Sequence, residues 1–323
     1  MKAIVNTAPQ KLEMLQVALP EPGGGQVRIR TGACGICATD LEMIAGWERT
    51  GYPATPGHEW AGTVDAVGAG VEQNLLGRRC VAENVWADGG EVGFEHPGGY
   101  GQYLLTEARH VQVLPDGFSF TAAALIEPLA VCVRAMRRLG PCSGRVLIMG
   151  DGPIGLLSTA LLAHSGVTDI TLVGGREQRL SLARDFGARK TLNYHECGSS
   201  LGAAIRDGAG PGFTAVIEAT GSAAAVNAAM DLVAREGRLL IIGDYRHHRA
   251  DFTWNTILIR ELTVLGSNAS AGAWPNAVKL AVGGQIPLER LITHRLPVDR
   301  FQDGIAITQG KRGDVVKVIL EWE

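Results

Sequence analysis

One stretch restricts the fold more than any other: RVLIMGDGPIGLLSTALL, residues 145–162. RVLIM is a short apolar run of the kind that forms a strand buried on both faces. GDGPIG follows it, and then apolar residues that suit a helix. Gly150, Gly152 and Gly155 therefore stand in the pattern G-x-G-x-x-G between a strand and a helix, with Pro153 and Ile154 filling the last two open positions. In that setting each glycine has a task. Gly150 permits a tight turn, Gly152 lets backbone approach a pyrophosphate, and Gly155 allows the helix to pack close to the sheet. The exposed amides at the helix start favour phosphate charge.

The surroundings support this reading. After the loop come DITLVGG (strand), EQRLSLARDFGA (helix), KTLNY and AVIEAT (strands), SAAAVNAAMDLVARE (helix), and GRLLIIG and LTVLGS (strands). Strands alternating with helices imply a doubly wound parallel sheet. The nucleotide-binding domain is expected over residues 130–266. Ahead of it, TAAALIEPLAVCVRAMRRL carries helical spacing. The first third is different: MKAIV, QVRIRTGA and AGTVDAV are short strand-like runs punctuated by turns. Mixed texture returns near the end and closes on the strand DVVKVILEWE. Residues 1–129 and 267–323 are expected to form a second, β-rich domain.

The cofactor type is written after the second strand of the sheet. A dinucleotide site usually places an acid about 20 residues past the glycine loop, on the ribose 2′-hydroxyl. Here the residues are Gly174, Gly175 and Arg176, and Glu177 lies past the expected strand end. An acid would repel a 2′-phosphate and an arginine would bind it. The sequence favours NADP over NAD.

Composition sets the class. The chain has 323 residues, 46% hydrophobic, 20% charged, with a formal charge of -3. That near-neutral balance provides no electrostatic reason to expect nucleic acid or an anionic membrane as partner. No apolar run is long enough for a transmembrane helix, and the N-terminus lacks a signal-peptide core. The six cysteines form no disulfide framework, so the cytoplasm is the expected location.

Three clusters carry candidate chemistry. GACGICATD supplies Cys34, Cys37, Thr39 and Asp40; PGHEWAG supplies His58 and Glu59; ALIEPLA supplies Glu127. Taken alone, CGIC is a redox pair, half of a zinc site, or one ligand beside a bystander. Cysteine, histidine and carboxylate are all zinc ligands, and catalytic zinc commonly has three protein ligands and an open position. No spacing among these residues decides the matter.

Taken in order over nearly the whole chain, GACGICATDLEMIAG, PATPGHEWAGTVDAVGAGV, EPLAVCVRA, GDGPIG and VIEATGS resemble the zinc-dependent medium-chain alcohol and polyol dehydrogenases. The resemblance implies a GroES-like catalytic domain beside a Rossmann domain, with an active site in the cleft between them. It implies Cys37 and His58 as ligands of a catalytic zinc, Glu59 and Glu127 as its carboxylate ligands, Thr39 as proton relay and Asp40 as a partner of the site. It leaves Cys34 as packing. VGGREQRL is similar to the NADP-dependent secondary alcohol dehydrogenases of bacteria. That likeness adds Tyr194 near the adenine, Thr220, Gly243, Asp244 and Tyr245 on cofactor-contacting loops, and Lys311 toward the 2′-phosphate.

One departure from the family matters. Many members carry four closely spaced cysteines that hold a structural zinc, and the shortened segment here has only Cys80. One metal per chain is expected. Trp47, Trp86 and Phe94 are candidates for the substrate-side wall. The expected reaction is hydride transfer between NADP(H) and a small secondary alcohol, polyol or sugar, in a homodimer or homotetramer. The alternatives are a zinc-free enone or quinone reductase of the same superfamily and a non-catalytic NADP-binding protein.

Overall fold

The computed structural model describes every residue except 48, 208–209, 311–313 and 323. Two compact units emerge. One comprises Met1–Glu127 with Trp274–Glu323, the other Pro128–Ala273.

The first unit is built on a seven-stranded sheet. Its main path runs Ile292–Pro297, Lys317–Glu321, Gln26–Ile36, Glu59–Val67, Arg79–Ala82, Val111–Val113, and Tyr103–Glu107 also pairs with Gln26–Ile36. The long strand Gln26–Ile36 shows how the sequence selects its face. Val27 and Ile29 are fully buried, and Arg28 turns out to meet Asp65 at 2.7 Å. Alternation of period two puts one set of side chains into the core. There Val27 and Ile29 join Trp60, Tyr100, Leu104, Val318 and Leu320. A short helix, Ala38–Ala45, follows directly. Its N-cap is Cys37, whose amide donates to the Asp40 carboxylate at 2.8 Å, and it stops at Gly46 with φ 111°. A left-handed residue is the usual helix stop, and glycine adopts that conformation without steric penalty.

In the second unit six parallel strands lie in the order Lys190–Asn193, Asp169–Gly174, Arg145–Met149, Phe213–Glu218, Val233–Ile241, Thr263–Gly266. Strand order reverses between Arg145–Met149 and Phe213–Glu218. Sheets of this kind bind ligands at such a switch point, beyond the C-terminal strand ends. The helix Pro153–His164 starts at Gly152, with proline in its first turn where a missing N–H costs nothing.

Two elements differ from the sequence expectation. The helix expected across SAAAVNAAMDLVARE ends at Leu232, and Val233–Ile241 is strand. Val233 pairs with Phe213, and Glu236 takes a left-handed φ of 58° that turns the chain. Sheet pairing overrides local helical spacing here. The segment 121–139 is likewise two helices, Phe120–Ala124 and Ile126–Leu139, broken at Leu125 just before Glu127 and Pro128. No helix among the described residues is long and apolar enough to cross a membrane.

Candidate metal and cofactor sites

In the first unit, Cys37, His58 and Glu59 each offer a ligand atom, and these atoms lie within 4.8 Å of one another. The register explains how. Cys37 directly follows the strand Gln26–Ile36, and Gly35 on that strand stands opposite Glu59. Gly35 is required at this spot, because a Cβ there would overlap the Glu59 carboxylate. His58 immediately precedes Glu59. Its ring stacks on Phe94 at 4.9 Å, and its Nδ1 lies 3.3 Å from the fully buried Asp40 carboxylate. Burial opposes a charge on His58, but Asp40 and Cys37 outweigh it and raise its basicity well above that of an ordinary histidine.

Glu59 is 1% exposed, and its two oxygens have different surroundings. Oε1 accepts from the buried Lys317 ammonium, and Oε2 has no hydrogen-bond partner. Burial disfavours the lysine charge, yet Glu59 and Cys37 hold Lys317 above the ordinary lysine value. A buried carboxylate oxygen without a donor is costly unless a cation meets it. The donor set, one thiol, one imidazole and one carboxylate, is the borderline-soft mixture that suits Zn²⁺. The residues present therefore fit a zinc ion.

Glu127 lies outside this set of three. Its carboxyl is pushed up to about 7 by burial, against the pull of His58. Thr39 Oγ1 is 3.6 Å from Cys37 Sγ. Cys34 is fully buried, with its thiol toward the Gly35 carbonyl at 3.6 Å. Cys80 is buried in the strand Arg79–Ala82, and burial pushes its thiol up to about 12. Among the aromatic candidates, Trp47 reaches Phe94 at 6.2 Å in an edge-on contact. Trp86 instead stacks on His96 at 4.1 Å and lines, with Phe94 and Tyr52, a separate cavity of about 630 Å³.

Sequence reasoning missed Lys317. The available signal was one lysine inside the apolar run VVKVIL, because a buried lysine needs an anionic partner.

In the second unit Gly150 has φ 117°, and a Cβ on it would press on Ala219 and Thr220. A Cβ on Gly155 would collide with the Gly150 carbonyl, whereas one on Gly152 would meet open space. The loop thus packs closely at its ends and leaves room at the helix start, a cradle that fits a pyrophosphate. Pro153 and Ile154 form the first turn, and the Ile154 carbonyl accepts from Cys132 at 3.6 Å. Thr220, Gly243 and Tyr245 gather around Glu218: Thr220 and Tyr245 donate to its carboxylate, and Gly243 packs beside it. The Asp244 backbone lies against Gly221, with its side chain exposed. Gly174 packs on Asp151, and Gly175 on the Tyr194 ring. Among the described residues the Arg176 guanidinium has no hydrogen-bond or ion-pair partner. Lys311 lies outside the described residues. His247 and His248 are exposed.

Comparison with known proteins is decisive for the family. Residues 23–116 match the alcohol dehydrogenase GroES-like domain, and residues 153–283 match the zinc-binding dehydrogenase family. The chain is a zinc-binding dehydrogenase. A zinc-binding dehydrogenase of this alcohol and polyol type is an oxidoreductase acting on CH–OH donors. Its relatives include D-arabitol-phosphate dehydrogenase of Enterococcus avium, 28% identical over 346 aligned residues that cover 99% of this chain and 97% of the relative. A short chain alcohol dehydrogenase from E. coli CFT073, complexed with NADH, superposes with a TM-score of 0.93 at 26% identity and 99% coverage of both chains. A zinc-binding dehydrogenase from Sinorhizobium meliloti 1021, bound to NADP, has a TM-score of 0.91 at 28% identity, covering 99% of this chain and 98% of that one.

Proposed function

We propose that this dehydrogenase oxidises a secondary alcohol or polyol, reversibly, with NADP as hydride acceptor and one zinc per chain held by Cys37, His58 and Glu59. The observation that carries the proposal is the convergence of those three side chains around an unpartnered, buried Glu59 oxygen. When bound, zinc supplies a Lewis acid for the alcohol oxygen, and the nicotinamide supplies a hydride acceptor.

The chain's own residues do the rest. Asp40 faces His58 Nδ1, keeps the ring proton on that nitrogen and leaves Nε2 free to ligate. The Thr39 hydroxyl, beside Cys37, takes the substrate hydroxyl proton and passes it toward solvent. Lys317 steadies Glu59 through Oε1 and leaves Oε2 for the metal. Glu127 is assigned as an exchangeable fourth ligand on the family resemblance, as a carboxyl buried one residue before Pro128.

NADP is favoured because no acid ends the strand Asp169–Gly174 and Arg176 stands free beside it. Tyr194 is assigned to the same end of the cofactor, with Thr220, Gly243, Asp244 and Tyr245 on loops that touch it. The arabitol-phosphate dehydrogenase relative supports a polyol-type substrate. The edge strand Thr263–Gly266, with exposed Trp254, Leu258, Ile259 and Val264 beside it, is assigned as a self-pairing edge for a homodimer. The test is an NADP-coupled screen over secondary alcohols, polyols and polyol phosphates, with zinc measured on the same sample. Turnover on any of them with about one zinc per chain supports the proposal. Turnover undiminished in fully metal-free protein overturns it.

A further inference from the structure

The glycine loop contains an acid that the cofactor reading does not use. Asp151 sits between Gly150 and Gly152, and its carboxylate reaches across to the end of the neighbouring strand. Its Oδ2 accepts from the amides of Gly175 at 2.9 Å and Arg176 at 3.0 Å, and its Oδ1 lies 3.4 Å from the Arg179 guanidinium. Gly174 makes this reach possible, since a Cβ there would overlap the Asp151 side chain. The carboxylate is mostly shielded, with 15% of its side-chain surface exposed.

These two amides lie just ahead of the helix Glu177–Asp185, for which Arg176 is the N-cap. Adjacent amides at a helix start are anion receptors. The receptor here already holds an anion belonging to the protein. The Tyr194 ring packs on Gly175 at the same spot, and Arg176 is the next residue. A negative charge is thus absent from the strand end, where sequence patterns look for it, and supplied from the glycine loop instead.

We propose that Asp151 is the residue that sets nicotinamide cofactor selectivity in this chain. The inference deepens the NADP reading above and rests on it for the location of the adenosine ribose. A 2′-phosphate drawn to Arg176 meets the Asp151 charge at the amides it would itself use. A 2′-hydroxyl has no charge to repel and can donate to the same carboxylate. Asp151 therefore limits the gain that Arg176 provides for NADP, and keeps NAD usable.

The test is direct binding of NADPH and NADH, by nicotinamide fluorescence titration, to the wild-type protein, Asp151→Asn, Asp151→Ser and Arg176→Ala. Removing the charge should tighten NADPH binding about tenfold at low salt, with NADH unchanged or weaker, because one like-charge contact near a protein surface is of that order. Added salt should shrink the effect. Melting curves establish that each variant folds. Serine is small and uncharged, and it covers failure of the asparagine variant. Equal shifts for NADPH and NADH, or none, in a folded Asp151 variant overturn the inference. The NADP reading fails separately, if Arg176→Ala leaves NADPH affinity unchanged, and a changed NADPH-to-NADH ratio in the Asp151 variants still supports the role of Asp151.

Discussion

Lys317 and Glu59 are 258 residues apart in the chain and form a buried ion pair in one sheet, the lysine 5% and the glutamate 1% exposed. The lysine enters on the strand Lys317–Glu321, which pairs with Gln26–Ile36, which pairs in turn with Glu59–Val67. Two strand pairings bring the C-terminal strand to the candidate metal site. The lysine occupies one oxygen of Glu59 and leaves the other without a partner.

This pair makes a prediction about stability. Lys317→Met leaves a buried carboxylate unpaired and should cost about 3–5 kcal/mol, as for other broken buried pairs. The double variant Lys317→Met/Glu59→Gln removes both charges and should recover most of that loss. Denaturant unfolding of the metal-free proteins measures both. Additive losses would show that the two side chains do not depend on each other.

Gly35 gives a steric prediction on the same carboxylate. Its φ lies outside the left-handed region, so alanine is tolerated by the backbone, but its Cβ would overlap Glu59. Gly35→Ala should destabilise the unit by about 1–3 kcal/mol, the usual cost of overpacking, and should weaken zinc binding with it. Competition with a metal chelator reads the second effect, and unchanged zinc affinity would contradict the placement of Glu59.

A pH dependence follows from the segment that carries Phe94. Arg49 is 2.8 Å from Glu95 and 3.3 Å from Glu91, and its guanidinium lies 4.4 Å from the Phe94 ring centre. Burial would raise the Glu95 carboxyl, but Arg49 and the Glu91 amide outweigh it and hold it below the ordinary value of 4.5. A depressed carboxyl stabilises the fold above that ordinary value and loses its effect as pH falls through the lower one. The advantage of the wild-type protein over Glu95→Gln should be under about 1 kcal/mol at neutral pH, since the pair is partly exposed. It should shrink toward zero on acidification. Melting temperatures of the two proteins from pH 7 to pH 3 check the sign.

The proposed self-pairing edge has its own test. Leu258 is 73% exposed and Val264 40% exposed beside the free edge of the parallel sheet. Leu258→Lys with Val264→Lys should convert a dimer to a monomer in sedimentation velocity without lowering the melting temperature of the monomeric unit. A dimer that survives both substitutions assembles through another face.

The two halves of the chain were unequally legible. RVLIM and DITLVGG became parallel strands buried along nearly their whole length, as apolar runs flanked by turns lead one to expect, whereas LTVLGS became the largely exposed edge strand Thr263–Gly266. The end of the helix at Leu232 was not legible, since the pairing of Val233 with Phe213 is a contact between distant residues. At the candidate site, Cys37 and His58 could be named from their residue types and the family pattern. Lys317 and Asp151 could not be assigned. Their roles come from a cross-strand reach and from a turn that aims a carboxylate at two amides, and neither has a local sequence period.

One catalytic zinc is assigned to Cys37, His58 and Glu59. The most direct test of that assignment is the zinc content of the wild-type protein, Cys37→Ser and His58→Ala, measured with alcohol-dependent NADP reduction on the same preparations. We expect about one zinc per chain in the wild type, and loss of zinc and turnover together in both variants. A folded His58→Ala protein that keeps a full equivalent of zinc, or that turns over at the wild-type rate without it, would rule that assignment out.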